Sequence, residues 1–249
     1  MPKKQATKWA IAACAAMALG GAYAFTGVTN YWVGADWADY NDAANWRVND
    51  PDTGANAVPT ANDMIYLNNS AIHKYDLGGQ SKTVAQITYR ADASGNSNTG
   101  KGTVNVTNGA LTVTTKVGHL MCLDVWDGAT FTLGSGITTD GFNWGQGGVD
   151  CLHKVHDGGT LNIDWLKFQA YELTVDSGGT ANLNTKNVYT HPKPNDGNHS
   201  RFYIYGTLNV PNGFSFRDGW GVTWAVRNFY SRYTLKPSGE MTFGGGVTN

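Results

Sequence analysis

From residue 102 onward, a five-residue pattern of glycine, any residue, apolar, Thr or Asn, apolar returns along the chain. Six copies start at Gly102, Gly109, Gly159, Gly179, Gly206 and Gly239. A seventh, ending Phe131-Thr132-Leu133, follows Gly128 with one extra residue. Successive side chains of a strand point to opposite faces. The pattern therefore predicts strands with an apolar face and a Thr/Asn face.

A second strand is predicted upstream of these glycines, where apolar positions again alternate. The matching pairs are Leu123 and Val125, His153 and Val155, Leu173 and Val175, and Tyr233 and Leu235. An aspartate precedes the bend at Asp127, Asp157 and Asp176, where its side chain can accept from nearby backbone amides and the glycine can take a positive φ. Each unit therefore reads as strand, glycine-centred bend, strand.

Two all-β architectures fit these units. In a single-stranded parallel β-helix the copies stack at strand spacing, with interior ladders such as Leu161, Ala181, Leu208 and Met241, and outer Thr and Asn side chains bond along the stack. In an antiparallel β-sandwich Asp157-Gly158 would be a hairpin turn. The pattern favours the parallel coil, because a meander has no need to repeat the same residue classes on both sides of each bend.

The composition agrees with strands and turns. Only Glu172 and Glu240 of the 19 acids are glutamates, and the chain has 32 glycines. The chain has 18 basic residues, three of them near its start, so the remainder is weakly acidic. This balance argues against nucleic acid as a partner.

The first 24 residues predict a secretory signal peptide. Lys3, Lys4 and Lys8 lie ahead of or at the start of an Ala-rich apolar run that closes in the small-residue cleavage pattern Ala22-Tyr23-Ala24. The run is too short for a spanning helix, so no membrane insertion of the mature chain is expected. The expected organisation is one continuous domain from residue 25, with a capping segment and first rungs in 25–100 and β-helix repeats in 101–249.

The segment 31–67 is rich in tryptophan and ends in an alternating apolar pair. Its marked positions are Trp32, Gly34, Trp37, Asn45, Trp46, Pro59, Asp63, Ile65 and Leu67. Followed by glycine-rich strand repeats, it resembles the opening of large secreted bacterial β-helix proteins whose repeats are similar to autotransporter passenger domains. The resemblance implies an extracellular, right-handed β-helix at or near a cell surface.

Trp32, Trp37 and Trp46 are predicted to cover the first rung of the coil, whose apolar interior would otherwise be exposed. Sugar stacking by exposed tryptophans is the alternative. At the other end, the last copy, at Met241 and Phe243, has no helix or charged cap after it, which predicts an open end.

The two cysteines after the leader, Cys122 and Cys151, are an even number in a secreted chain, which is compatible with a disulfide. The repeat alignment pairs Cys151 with Met121, one residue out of register, and such an offset points side chains to opposite faces. The sequence leaves open whether Cys122 and Cys151 form a disulfide or are two buried thiols.

No metal site is predicted. His153 and His156 are three residues apart on a strand, so their imidazoles face opposite sides, with His153 in or near the core. The oxygen-rich cluster at Asp36, Asp39, Asn41 and Asp42 could hold calcium, but turn formation explains it and its spacing is not that of an EF-hand loop.

No enzyme, catalytic residue or cofactor is predicted either. Most acids near the repeats are explained by bends, and the candidates that remain are Asp124, Asp150 and Asp164, with Arg201 and Arg217. Nothing in their spacing places them on one patch, as polysaccharide cleavage by paired carboxylates would require.

Aromatic residues are dense in the last third of the chain. Alternation in residues 201–205 places Phe202 and Ile204 on one face and Tyr203 and Tyr205 on the other. The two tyrosines, with Trp220 and Trp224, are candidates for contact with a neighbouring subunit or a glycan. An ordinary amphipathic strand under a loop remains the alternative.

Two functions follow as hypotheses. The first is a secreted structural protein of the cell surface that associates with itself end to end, because an uncovered sheet edge invites pairing and contact between unlike ends does not close. The second is a carbohydrate-binding or polysaccharide-cleaving module that uses the aromatic strip and outer acids.

Overall fold

The structure is a computed structural model. It describes residues 27–67, 72–89, 102–117, 121–137, 152–164, 168–170, 172–184, 188–190, 201–212, 214–215, 217–218, 232–235, 240–243 and 247–248. The leader, Asp150, Cys151, Trp220 and Trp224 lie outside these residues. Strand is the dominant secondary structure of the described part, which also contains turns and one short 3-10 helix at Ala43–Asn45. It contains no helix with the length and hydropathy that a membrane crossing needs.

The first eight strands of the described residues lie between Thr29 and Leu133. They are β1 (Thr29–Trp32), β2 (Ala38–Asp39), β3 (Trp46–Val48), β4 (Met64–Leu67), β5 (Ile72–Tyr89), β6 (Gly102–Val117), β7 (Met121–Val125) and β8 (Ala129–Leu133).

The later strands follow in shorter steps. They are β9 (Leu152–Val155), β10 (Thr160–Ile163), β11 (Phe168–Ala170), β12 (Glu172–Val175), β13 (Thr180–Leu183), β14 (Val188–Thr190), β15 (Arg201–Ile204), β16 (Thr207–Val210), β17 (Phe214–Ser215), β18 (Arg217–Asp218), β19 (Arg232–Leu235), β20 (Glu240–Phe243) and β21 (Val247–Thr248).

The repeated units form two stacks of parallel strands. Strands before the bend pair in the order β7, β9, β12, β15, β19, which we call the before-bend column. Strands after the bend pair in the order β8, β10, β13, β16, β20, the after-bend column. Every pairing within both columns is parallel, so the antiparallel alternative is wrong for these strands.

The predicted interior ladder of the after-bend column is confirmed. Leu161 pairs with Ala181, Ala181 with Leu208 and Leu208 with Met241. The side chains of Leu161, Ala181 and Leu208 are fully buried. The register therefore places residues of one class above one another, as the repeat of residue types indicates.

A chain of amide hydrogen bonds runs along the outside of the same column. Asn162 Nδ2 donates to Thr132 Oγ1 at 3.3 Å, and Asn182 Nδ2 donates to Asn162 Oδ1 at 2.8 Å. Asn209 Nδ2 then donates to Asn182 Oδ1 at 2.8 Å. The Thr/Asn positions of the repeat thus join neighbouring strands through their side chains as well as their backbones.

Truncation in the middle of this ladder tests its contribution. Asn182→Ala removes the bonds to Asn162 and Asn209, and each net side-chain bond contributes on the order of 1 kcal/mol, so we expect the free energy of unfolding to fall by about 1–2 kcal/mol. Thr180→Ala, two residues earlier on the same face, is the control and should change it by less than about 0.5 kcal/mol. Denaturant titration of both variants gives the comparison, and equal stabilities would contradict a stabilising ladder.

Close stacking of backbones explains the recurrent glycines. Gly128, Gly158 and Gly178 have φ of 67°, 72° and 83°, the left-handed region in which side chains are strained. At Gly206 a Cβ atom would lie 2.3 Å from the carbonyl oxygen of Asp176 and 2.4 Å from that of Gly179. A side chain is therefore excluded by backbone conformation at these three glycines and by close contact at Gly206.

Two details of the repeat differ from the expectation. Gly102–Val106 pairs with Met121–Val125, so this copy belongs before the bend, whereas Gly109 pairs with Ala129 after it. The segment after Gly128 has no inserted residue, because Thr160 pairs with Thr130 and thereby aligns Ala129 with Gly159. The pentapeptide pattern does not distinguish the two sides of the bend, because the strands on both sides carry apolar, polar, apolar residues.

The N-terminal strands continue the same sheet. β1 pairs antiparallel with β3 and parallel with β4, and β4 pairs parallel with β5. β5 pairs parallel with β6 along most of its length, and β6 in turn pairs with both β7 and β8. The sheet therefore continues from the segment before residue 100 into the segment after it.

Buried aromatic rings fill the interior of this N-terminal part. Trp46, Tyr40 and Tyr75 are fully buried, and Trp32 is nearly so. Trp32 meets Trp46 edge-on at 4.9 Å and Tyr75 at 4.8 Å, while Trp46 Nε1 donates to the Tyr40 carbonyl oxygen at 2.8 Å. Trp37 lies elsewhere, half-buried beside Trp126. The structure thus brings together two of the three tryptophans expected to form a cap.

Two further parallel sheets lie apart from the columns. β11, β14 and β18 form one, and β17 and β21 form the other. β11 and β14 each follow an after-bend strand and precede the next before-bend strand. The chain therefore forms three strands in succession twice, as β10, β11 and β12 and again as β13, β14 and β15.

Candidate functional site

The outward side chains of the before-bend column, and of β5 and β6 beside it, form two adjacent rows. The first row contains Lys74, Asn105, Asp124, Lys154, Thr174 and Tyr203. The second row lies two residues further along each strand and contains Thr107, Trp126, His156, Asp176 and Tyr205. Backbone bonds extend the ladder through the second row, as in Trp126 N to Val106 O at 2.9 Å and Asp176 N to Val155 O at 2.8 Å. We call the two rows the outer face.

A charge network occupies the centre of the outer face. His156 Nε2 lies 3.1 Å from Asp124 Oδ1, and His156 Nδ1 lies 3.5 Å from Asp176 Oδ2. Lys154 Nζ lies 3.1 Å from the same oxygen of Asp176. The strands fix these distances, because Asp124 pairs with Lys154 and Lys154 with Thr174, two residues before Asp176.

The two carboxylates have different surroundings. Removal from water raises the pKa of Asp124 above its ordinary value, and the charges of His156 and Lys154 oppose this rise. Asp176 has the ammonium group of Lys154 beside it. A pair of carboxyls in unlike surroundings is typical of acid–base sites, but here both contact the same imidazole, which lies between them. The contacts thus fix the two carboxylates, the imidazole and the Lys154 ammonium relative to one another.

Trp126 is the exposed ring of the outer face. Its indole stacks on the His156 imidazole with 3.8 Å between centroids and 17° between planes, and 37% of its surface remains accessible. Its Nε1 donates to Asn105 Oδ1 at 3.0 Å. The charge network therefore also orients this indole, through the imidazole below it and the amide beside it.

The loop after β1 brings Trp37 to the same place. Trp37 has a φ of 60° and meets Trp126 nearly perpendicularly, with 5.5 Å between centroids. Lys74 Nζ lies 5.8 Å from the centre of the Trp37 ring and pairs with Asp36. Loop and sheet thus jointly build one aromatic and cationic corner.

Two shallow cavities adjoin this corner and share Lys74 and Trp126. One, of about 310 Å³, is completed by Trp37 and Thr107. The other, of about 320 Å³, is lined by Ile72, Lys74, Thr103, Asn105, Cys122, Asp124, Trp126 and Leu152. We call the two cavities together the Trp126 groove.

The structure describes only some of the residues proposed for subunit or glycan contact. Phe202 and Ile204 are fully buried while Tyr203 and Tyr205 are half-buried on the outer face, as the alternation indicates. Trp220 and Trp224 lie outside the described residues. Met241 and Phe243 lie in β20, whose backbone pairs with β16.

The remaining candidates are dispersed. Among the possible catalytic residues, Asp124 belongs to the charge network, whereas Asp164 accepts from Asn184 Nδ2 at 2.6 Å on the after-bend side. Arg201 begins β15 and Arg217 begins β18, in a different sheet. Cys122 is buried, and Cys151 lies outside the described residues. A disulfide and two buried thiols therefore both stay open as the alternatives that the sequence leaves.

The histidines and the oxygen-rich loop do not converge on a metal. His153 is buried and accepts from Leu123 N at 3.2 Å through Nδ1, while His156 faces outward. Asp39 Oδ1 accepts from Asn41 N at 2.8 Å and Asp42 Oδ1 from Ala44 N at 2.9 Å, which are the bonds of turns. In the described part of the chain no group of three His, Cys, Asp or Glu side chains is placed to hold a metal ion.

Sequence reasoning missed the Trp126 groove, although part of its signal was present. Trp126 and His156 both precede an Asp-Gly bend, so aligning the bends would have placed one ring above the other. Lys74 could not be placed in this way, because β5 contains none of the pentapeptide repeats.

Comparison of the chain with protein-family models, with curated proteins and with solved structures finds no match.

Proposed function

We propose that this chain is a secreted, non-enzymatic structural protein of the cell surface, built as a single-stranded right-handed parallel β-helix. The observation that supports it best is the pair of in-register parallel columns with buried apolar ladders inside and an Asn ladder outside. Parallel strands linked through a third strand are the connectivity of a coil, and crossovers of this kind are right-handed in the great majority of proteins.

The polar chemistry of the outer face supports a passive role. The carboxylates of Asp124 and Asp176 are engaged by His156 and Lys154 within the sheet itself. A hydrolase of polysaccharides needs two carboxyls that approach the bond to be cleaved from opposite sides. Here the imidazole of His156 occupies the space between them.

The backbone pattern supports self-association through the strand edge. Thr180 N donates back to Gly159 O and Thr207 N to Gly179 O, both at 2.9 Å, so outward-facing residues bond to the preceding strand. The alternation of a parallel ladder then directs the N–H groups of Met241 and Phe243 away from β16. Among the described strands, β20 pairs with β16 alone. A second copy of the chain, with its own strand edge, is the occupant we propose.

Assembly of residues 25–249 tests the proposal. Met241→Pro removes one donor from the outward edge of β20 while leaving the bonds to β16, so we expect end-to-end multimers of the wild type to disappear in this variant. Thr242→Ala changes an outer side chain and should assemble like the wild type. Sedimentation velocity and electron microscopy give the readout, and circular dichroism verifies the fold. A wild type that stays monomeric at its highest attainable concentration contradicts self-assembly.

A glycan-binding module is the second candidate, favoured by Tyr203 and Tyr205. Both tyrosines lie on the outer face while their neighbours Phe202 and Ile204 are buried. Tyr203→Ala combined with Tyr205→Ala should abolish binding on a glycan array without loss of fold if this strip binds sugar. Full retention of binding by the double variant would show that the glycan binds outside this strip.

A further inference from the structure

The Trp126 groove has the two kinds of wall that a sugar ring requires. Pyranose rings present C–H groups on one face and hydroxyls at the edge, so they bind where an aromatic wall meets a few fixed polar groups. The indole of Trp126 is held by His156 and Asn105, with 37% of its surface accessible. Lys74 and Thr107 supply polar groups beside it.

The charges around the groove decide which ligands it accepts. Lys74 is the cation that lines both cavities, and it already pairs with Asp36, while Asp124 lines the second cavity. An anionic ligand would meet this excess of carboxylates. A cationic ligand would compete with the Lys74 ammonium, which lies 5.8 Å from the Trp37 ring centre. A neutral ligand with hydroxyl groups has neither penalty, since hydroxyls bond to both ammonium and carboxylate.

The size of the groove fits short neutral chains. Each cavity, at about 310 and 320 Å³, lies at the lower end of the range for small-molecule sites, about 300–1,000 Å³. Because they meet at Lys74 and Trp126, one chain of linked rings can lie across both. We propose that the Trp126 groove binds neutral hexose units of a glycan, with the indole of Trp126 stacking on one ring.

This site is separate from the Tyr203 and Tyr205 strip and does not depend on assembly. Three strand spacings separate Trp126 from Tyr205 along the second row, which is about 14 Å. Binding can therefore be measured on the monomer, and a failure of self-association would leave the sugar site untouched.

The test uses residues 25–249 and neutral hexaoses of β-1,4-glucan, β-1,3-glucan, α-1,4-glucan and β-1,4-mannan, with an oligogalacturonate as the anionic comparison. Isothermal calorimetry and tryptophan fluorescence give the affinities. We expect at least one neutral hexaose to bind, with affinity independent of salt because no ion pair forms. Trp126→Ala should weaken binding about tenfold or more, since loss of one aromatic contact of about 1.4 kcal/mol corresponds to that factor.

Two further variants keep the result decisive. Thr107→Val and Lys74→Met alter the polar wall with little change in packing, and each should weaken binding about three- to tenfold even where Trp126→Ala does not fold. Thr180→Ala, on the outer side of the after-bend column, is the control and should bind like the wild type. The proposal is overturned if no neutral hexaose binds, if the groove variants bind normally, or if oligogalacturonate binds better and in a salt-dependent way.

Discussion

Replacement of Phe131 by Ala should lower the free energy of unfolding by about 3–5 kcal/mol, the usual cost of emptying a buried phenylalanine site. Phe131 is fully buried at the centre of β8, between Leu111 of β6 and Leu161 of β10 in the interior ladder. A close-packed stack cannot collapse into the cavity without moving the strands above and below. Urea titration followed by circular dichroism measures the loss.

Thr130→Ala is the control for this substitution. Thr130 lies one residue earlier in the same strand with its side chain half-buried on the opposite face, so its truncation should change stability by less than about 0.5 kcal/mol. Similar losses for both variants would show that Phe131 does not fill an interior ladder.

Acidification should destabilise the protein through His73. The imidazole is buried in β5, and neither ring nitrogen has a hydrogen-bond partner among the described residues. Burial lowers the pKa of His73 from 6.5 to about 4. As the pH falls below 6.5, the His73 imidazole binds a proton in the unfolded chain, whereas in the folded chain it binds one only near pH 4. The free energy of unfolding therefore falls between pH 6.5 and about pH 4. A shift of this size is worth about 3 kcal/mol between pH 7 and pH 4.

His73→Leu should remove this dependence. The difference in unfolding free energy between variant and wild type, measured from pH 7 to pH 4, should widen by about 3 kcal/mol in favour of the variant. The matched variant His153→Leu removes the imidazole that accepts from Leu123 N, so it should lose about 1–3 kcal/mol already at pH 7. Parallel pH profiles for wild type and His73→Leu would contradict a neutral buried His73.

The register of the columns was predictable because residues of the same class recur at the same place in each repeat. Leu161, Ala181 and Leu208 pair as their shared place after the glycine indicates, and Leu173 pairs with His153 before it. The assignment failed for Gly102 because the pattern is the same on both sides of the bend. Long strands such as β5 were missed, since this strand contains none of the glycine-led repeats.

The Trp126 groove could be predicted only in part. Stacking of Trp126 on His156 follows from aligning two Asp-Gly bends, which is information present in the chain. The approach of Trp37 depends on the loop after β1 and on a positive φ at a tryptophan, a conformation that residue type disfavours. Cavities formed between a loop and a sheet require the coordinates.

The most direct test of the parallel columns is the set of interstrand nuclear Overhauser effects in isotopically labelled protein. Parallel neighbours bring amide protons of one strand near α-protons of the next, whereas close α-proton pairs belong to antiparallel neighbours. The parallel columns predict amide to α-proton contacts linking β8, β10, β13 and β16 in sequence, in the register of Leu161, Ala181 and Leu208. Contacts between α-protons across these same strands would contradict it.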